Sequence, residues 1–147
     1  MKHETTAAVT LWANRVIAVV IVSLLFVLPA LLDWYCTVRF LSATEQTAIS
    51  VAFYCCAVVA LAALWRLDCL LRSILAQQVF ISANVNHLRF VRWCCLAVSL
   101  ICLPAAFIYY PLIFMVVIMG FLFLVVNVIC QVMKAAVALR EENDLTI

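Results

Sequence analysis

Glycine is almost absent from this chain: there is one in 147 residues, with three prolines, two histidines and only 11% charged side chains. Each shortage removes a class of function. A single glycine leaves no glycine-rich loop to cradle a phosphate, and no GxSxG turn to present a nucleophilic serine. The two histidines, His3 and His87, form no HExxH. The cysteines form no CxxC, so neither offers a zinc-ligand pattern. Soluble domains carry roughly 25% charge, and this chain is far below that. Its formal net charge of +2 is too small for nucleic-acid binding through the phosphate backbone. The expectations are a non-enzymatic protein with no metal, no cofactor and no direct nucleic-acid partner.

What the chain does have is apolar side chains. They make up 70% of it, with a mean hydropathy of +1.26. Four runs are long enough to cross a hydrocarbon core of about 30 Å as helices. They fall at about 12–32, 47–66, 92–110 and 112–133. The runs are continuously apolar, where a barrel strand would alternate. The fold class expected is all-α: a single integral membrane four-helix bundle over 1–147. Lys2 and Arg15 before the first run would suit a signal peptide. However, "DWYC" follows directly with no small-x-small site, so the run is expected to stay as a span.

Lysine and arginine set the orientation. Lys2 and Arg15 precede span one. Arg66, Arg72, Arg89 and Arg92 join spans two and three, and Lys134 and Arg140 follow span four. Only Arg39 lies in the first loop, where it can pair with Asp33, and the third loop has no basic residue. Both termini are therefore expected in the cytoplasm, with a cytoplasmic arm at 67–91 and a tail at 134–147. Tyr109, Tyr110 and Pro111 make the third loop a tight hairpin. Pro29 and Pro104 are expected to kink spans one and three.

Leu67, Leu70, Leu71, Ile74 and Leu75 share one helical face, and Asp68 and Arg72 stand four apart on the other. Span two is thus expected to run on as one helix from about Thr47 to about Gln78. Ser82 is a candidate cap for the helix that leads through Arg89 into span three. Arg66, Arg72, Asn84, His87, Arg89 and Arg92 are the candidate contacts for anionic lipid or for a partner protein. Cys55, Cys56, Cys94, Cys95, Cys102 and Cys130 lie in or against apolar runs and read as small hydrophobes. Cys36 and Cys69, near the span borders, are the candidates for reactive thiols.

Gly120, Leu124, Asn127, Gln131 and Lys134 fall on one stripe of span four. Glycine with amides on a face suits close helix packing, and equally the lining of a polar cavity in a permease. No acidic or basic residue lies mid-span, which disfavours an ion-coupled transporter. The ending "ALREENDLTI" is the most polar stretch of the chain. Arg140 suits a helix C-terminus, Asn143 a left-handed helix end, and Asp144 to Ile147 an extended tip. A frayed, solvated terminus and a docking peptide are the two readings of that tip.

The stretch "VFISANVNHLRFVRW", with Phe80, Asn84, Leu88 and Arg89, and the ending "LREENDLTI" resemble a bacterial family known as domain of unknown function 2975. The resemblance implies a small four-span protein of the cytoplasmic (inner) membrane. It further implies, by genomic association alone, a cytoplasmic helix-turn-helix transcription regulator as partner. Candidate docking residues are then Arg140, Glu141, Glu142, Asp144, Leu145, Thr146 and Ile147. The resemblance carries over no catalytic residue, and a homo-oligomer stays open.

Overall fold

Long uninterrupted apolar runs with almost no glycine leave the backbone one way to satisfy its hydrogen bonds in lipid, and the chain takes it. A computed structural model describes residues 2–76 and 82–145, with side chains described for 9–76 and 82–143. Among these are four helices: α1 (Lys2–Arg39), α2 (Ala43–Leu75), α3 (Ser82–Ile108) and α4 (Leu112–Leu145). All four are long and apolar enough to cross a membrane. At 1.5 Å per residue the 33 residues of α2 and the 34 of α4 span about 50 Å each, well beyond the hydrocarbon core. Several serine and threonine hydroxyls inside the helices fold back on their own backbone, while Ser99 of α3 donates across to the Val116 carbonyl of α4 at 3.3 Å. Ser23 donates to the Val19 carbonyl at 2.9 Å and Ser50 to that of Gln46 at 2.8 Å, so neither costs an unmet polar group.

Several helix ends differ from expectation. α1 continues past Leu32 to Arg39 and closes through Leu41 N–H donating to the Cys36 carbonyl at 3.3 Å. Phe40, at φ 52°, holds the left-handed position that glycine usually takes in this motif. α2 begins at Ala43 rather than Thr47, because Ser42 and Glu45 form a reciprocal capping box. The Ser42 N–H donates to the Glu45 carboxylate at 2.8 Å, and the Glu45 N–H to the Ser42 hydroxyl at 3.3 Å. α2 then runs through the membrane segment into the basic arm as one helix, as its unbroken pattern implies. Its expected end at Gln77 and Gln78 lies outside the described residues, as does Phe80. Ser82 is the first helical residue of α3. Pro29 and Pro104 sit inside continuous helices.

At the far end of the chain α4 stays helical through Leu145. Asn143 therefore does not end the helix in a left-handed turn, and Asp144 begins no extended tip. Good helix formers from Ala135 to Glu142 with no glycine behind them give the helix no reason to stop. Thr146 and Ile147, and the side chains of Asp144 and Leu145, lie outside the described residues.

The helices pack in chain order: α1 on α2, α2 on α3, and α3 on α4. No other pair is in contact among the described residues, although all four surround a central apolar cavity of about 230 Å³. Ile17 and Ile21 of α1, Ala63 and Leu67 of α2, Val98 of α3 and Met119 of α4 are among its walls. The best-buried packing is elsewhere, where the start of α3 meets the end of α4. Val85, Cys130 and Val137 are buried there, with Leu88 and Met133 against them.

Candidate functional site

Four of the basic residues, Arg15, Arg66, Arg72 and Arg92, come together at one end of the molecule, about two polar seams. The first joins α1 to α2. Asn14 is only 5% exposed and donates from Nδ2 to the Leu64 carbonyl at 3.1 Å. Because a carbonyl only accepts, this bond fixes which amide atom is nitrogen; the other, Oδ1, is buried with no partner. One residue on, Arg15 Nε reaches Asp68 Oδ1 at 3.3 Å, while Arg72 Nε reaches Asp68 Oδ2 at 2.8 Å. The expected Asp68–Arg72 pair is present, and Asp68 also ties the arm back to α1. With Arg15 and Arg72 side chains 47% and 63% exposed, these pairs add little stability. Their importance is positional. A cavity of about 220 Å³ opens beside them, lined by Asn14, Arg15, Ala18, Leu61, Trp65 and Asp68, together with Leu64.

The second seam joins α3 to α4. Arg92 Nη1 donates to Asn127 Oδ1 at 2.7 Å, and Arg92 Nε is buried without a partner. Asn84 is fully buried, and the Cys130 thiol points at the Val85 carbonyl at 3.9 Å. Between the seams Arg66 stacks over the Phe90 ring, 4.8 Å from its centroid, and so links α2 to α3. His87 is half-buried, with Nδ1 making no bond, and Arg89 is exposed. Of the six residues expected as lipid or partner contacts, Arg66, Arg72 and Arg92 are thus already engaged within the fold. Asn84 is a fully buried core residue rather than a surface contact.

The stripe on α4 divides. Asn127 joins the packed face through Arg92, whereas Gln131 and Lys134 are exposed. The face that packs carries Val116, Phe123, Cys130 and Val137, each about two turns from the next, rather than the polar stripe. Gly120 is no close-approach glycine either, since a Cβ added there meets nothing within 4 Å. Gly120→Ala is therefore expected to raise thermal stability in detergent, by up to about 1 kcal/mol from helix propensity alone. A glycine at a tight helix crossing would lose stability on the same change, so a lowered melting temperature would restore the packing reading.

Other positions also land differently from expectation. Asp33 accepts from Gln46 Nε2 at 2.9 Å and forms no ion pair with Arg39. Cys36, expected at an accessible border, is buried, and Cys69 is half-buried. The closest thiols are instead Cys56 and Cys102, 3.6 Å apart between α2 and α3. At the end opposite the basic seams, the hydroxyls of Tyr35 and Tyr109 meet at 2.6 Å.

Asn14 and its pairing with Leu64 carry no motif. The one sequence signal was a carboxamide beside Arg15 at the start of an apolar run, which marks a costly polar group needing a partner. Compared with known proteins, residues 43–147 match the family model described as "Protein of unknown function (DUF2975)". The match takes in α2, α3 and α4. No curated protein and no solved structure matches the chain.

Proposed function

The chain belongs to the DUF2975 family of proteins of unknown function, and from that premise we propose that it is a non-enzymatic, multi-pass inner-membrane protein that docks a cytoplasmic partner. One observation carries the reading. α4 is last buried at Val137 and continues as a helix to Leu145, with Arg140, Glu141, Glu142 and Asn143 all exposed. Helix that runs on beyond the buried core, exposed along 138–143, offers a surface that a partner can cover. With both termini in the cytoplasm, Glu141 and Glu142 present acidic groups away from anionic headgroups. A helix-turn-helix regulator has a basic DNA-binding face, and an acidic helix tip is complementary to it. In this reading, membrane docking and DNA binding compete for the same basic surface.

A permease remains the second reading, with less in its favour. The central cavity is walled by apolar side chains, and Gln131 of the polar stripe faces away from the packed side.

The test uses full-length protein in nanodiscs and, as probe, a purified helix-turn-helix regulator of the kind that the family resemblance implies. Glu141→Lys with Glu142→Lys is expected to weaken binding at least tenfold, and excess operator DNA is expected to release the wild-type complex. Undiminished binding after removal of residues 140–147 would discard the tail as the docking element.

A further inference from the structure

The notch between α1 and α2 has the makings of a ligand site that neither the ion pairs nor partner docking explains. Its charge is unbalanced, because two guanidinium groups, Arg15 and Arg72, face the single carboxylate of Asp68. Arg15 uses Nε on Asp68 and makes no other bond to a described residue, which leaves both Nη groups as donors. Beside it on α1, Asn14 Oδ1 is an acceptor in a residue 95% out of solvent, and it has no donor. A buried acceptor with no donor is costly, so a ligand that supplies a hydrogen there binds more tightly.

The walls specify the rest. From the polar end the notch continues over Ala18, one turn on from Asn14, and Leu61, one turn before Trp65. Trp65 is 74% exposed and has the amphipathic ring that settles at headgroup level. At about 220 Å³ the space is below the roughly 300 Å³ at which drug-sized pockets begin. It suits a headgroup whose chains stay in the bilayer and pass along Ala18 and Leu61. The occupant therefore needs a phosphate anion for the arginines, a hydrogen-bond donor for Asn14, and an apolar tail.

We propose that this notch holds the headgroup of an anionic phospholipid bearing hydroxyl donors, of the phosphatidylglycerol type. Its phosphodiester sits against Arg15, and the charge of Arg72, which shares Asp68 but does not line the notch, adds to the attraction, while a glycerol hydroxyl donates to Asn14 Oδ1. The site is independent of the tail, so its failure would leave the docking reading untouched.

Native mass spectrometry of the full-length protein with four lipids separates the two requirements. Phosphatidylglycerol is an anion with donors, phosphatidylethanol an anion without them. Phosphatidylethanolamine has donors but no net charge, and phosphatidylcholine has neither. Wild type is expected to retain phosphatidylglycerol about tenfold over phosphatidylethanol, the fold-change of one hydrogen bond to a buried acceptor. Both anions should exceed phosphatidylcholine. Asn14→Leu is expected to erase the preference between the two anions while keeping both above phosphatidylcholine. Arg15→Gln, at an exposed position that leaves the fold intact, is expected to erase the preference for anions. Equal retention of phosphatidylglycerol and phosphatidylethanol by wild type would overturn the site. So would a preference for either net-neutral lipid, or an anion preference unchanged in Arg15→Gln.

Discussion

Replacing Asn127 with leucine is expected to destabilise the protein by about 1.5–3 kcal/mol, the range for a hydrogen bond to a charged group. Replacing Arg92 with leucine as well is expected to return more than half of that loss. The asymmetry follows from what each side chain leaves behind. Asn127 Oδ1 receives Arg92 Nη1 at 2.7 Å, and the buried Arg92 Nε has no partner. The ion pairs among the described residues go to Asp68, on the other seam, so no carboxylate takes over when Asn127 is lost. The single variant leaves a guanidinium half-buried between α3 and α4 with its hydrogen-bond acceptor removed and only the Trp93 ring, 5.6 Å away, beside it. The double variant leaves two apolar side chains where the helices already pack, and swapping a buried polar pair for hydrophobes is often neutral. Unfolding of the four forms in detergent gives the coupling energy directly. Strictly additive single-variant losses would mean that the 2.7 Å contact carries no stability and that Asn127 acts by size alone.

Membrane helices are the part of this structure that the sequence states most loudly. Twenty apolar residues in a row admit one backbone solution in lipid, so α1 to α4 were legible from composition. Their ends were less so, and for definite reasons. Ser42 and Glu45 carry a readable capping signature, three residues apart, that moves the start of α2 back from Thr47. Phe40 in a left-handed turn has no such signature, because the usual glycine is missing. The tail of α4 had only weak stop signals in Asn143 and Asp144, and the helix overrides them. The candidate site was legible in its charges but not in its pairings. Arg15, Arg72 and Asp68 announce themselves as charges, yet only the packing of α1 on α2 brings Arg15 to Asp68. Asn14 matters because Leu64, fifty positions along the chain, lies opposite it. Such contacts depend on helix rotation about the long axis. In a membrane helix, apolar on every face, the hydrophobic pattern scarcely specifies that rotation. The same ambiguity explains why a stripe through Gly120 and Gln131 looked like the packing face when Val116, Cys130 and Val137 form it.

A fluorescent protein fused after Ile147 is expected to fold and fluoresce, while alkaline phosphatase at the same point is expected to be inactive. Phosphatase inserted after Tyr110 should show the reverse. This effect is all-or-none, and its cause is the placement of charge rather than its sum. Cytoplasmic loops of membrane proteins hold the excess of lysine and arginine. Here Lys2, Arg15, Arg66, Arg72, Arg89, Arg92, Lys134 and Arg140 make up eight of the nine basic residues. The fold strengthens the argument without reference to any membrane. Arg15 and Arg72 share Asp68, and Arg66 stacks on Phe90. Arg92 bonds Asn127, and the start of α3 packs on α4 just before Lys134. Arg39 is at the opposite end of α1, on the side of the Asp33–Gln46 bond and the Tyr35–Tyr109 contact. Turning the molecule over would carry four arginines engaged within the fold, Arg15, Arg66, Arg72 and Arg92, across the bilayer to spare one. Active phosphatase after Ile147 would put the acidic tip of α4 outside the cell. It would end the case for a cytoplasmic partner there and leave the lipid notch to be tested in the opposite leaflet.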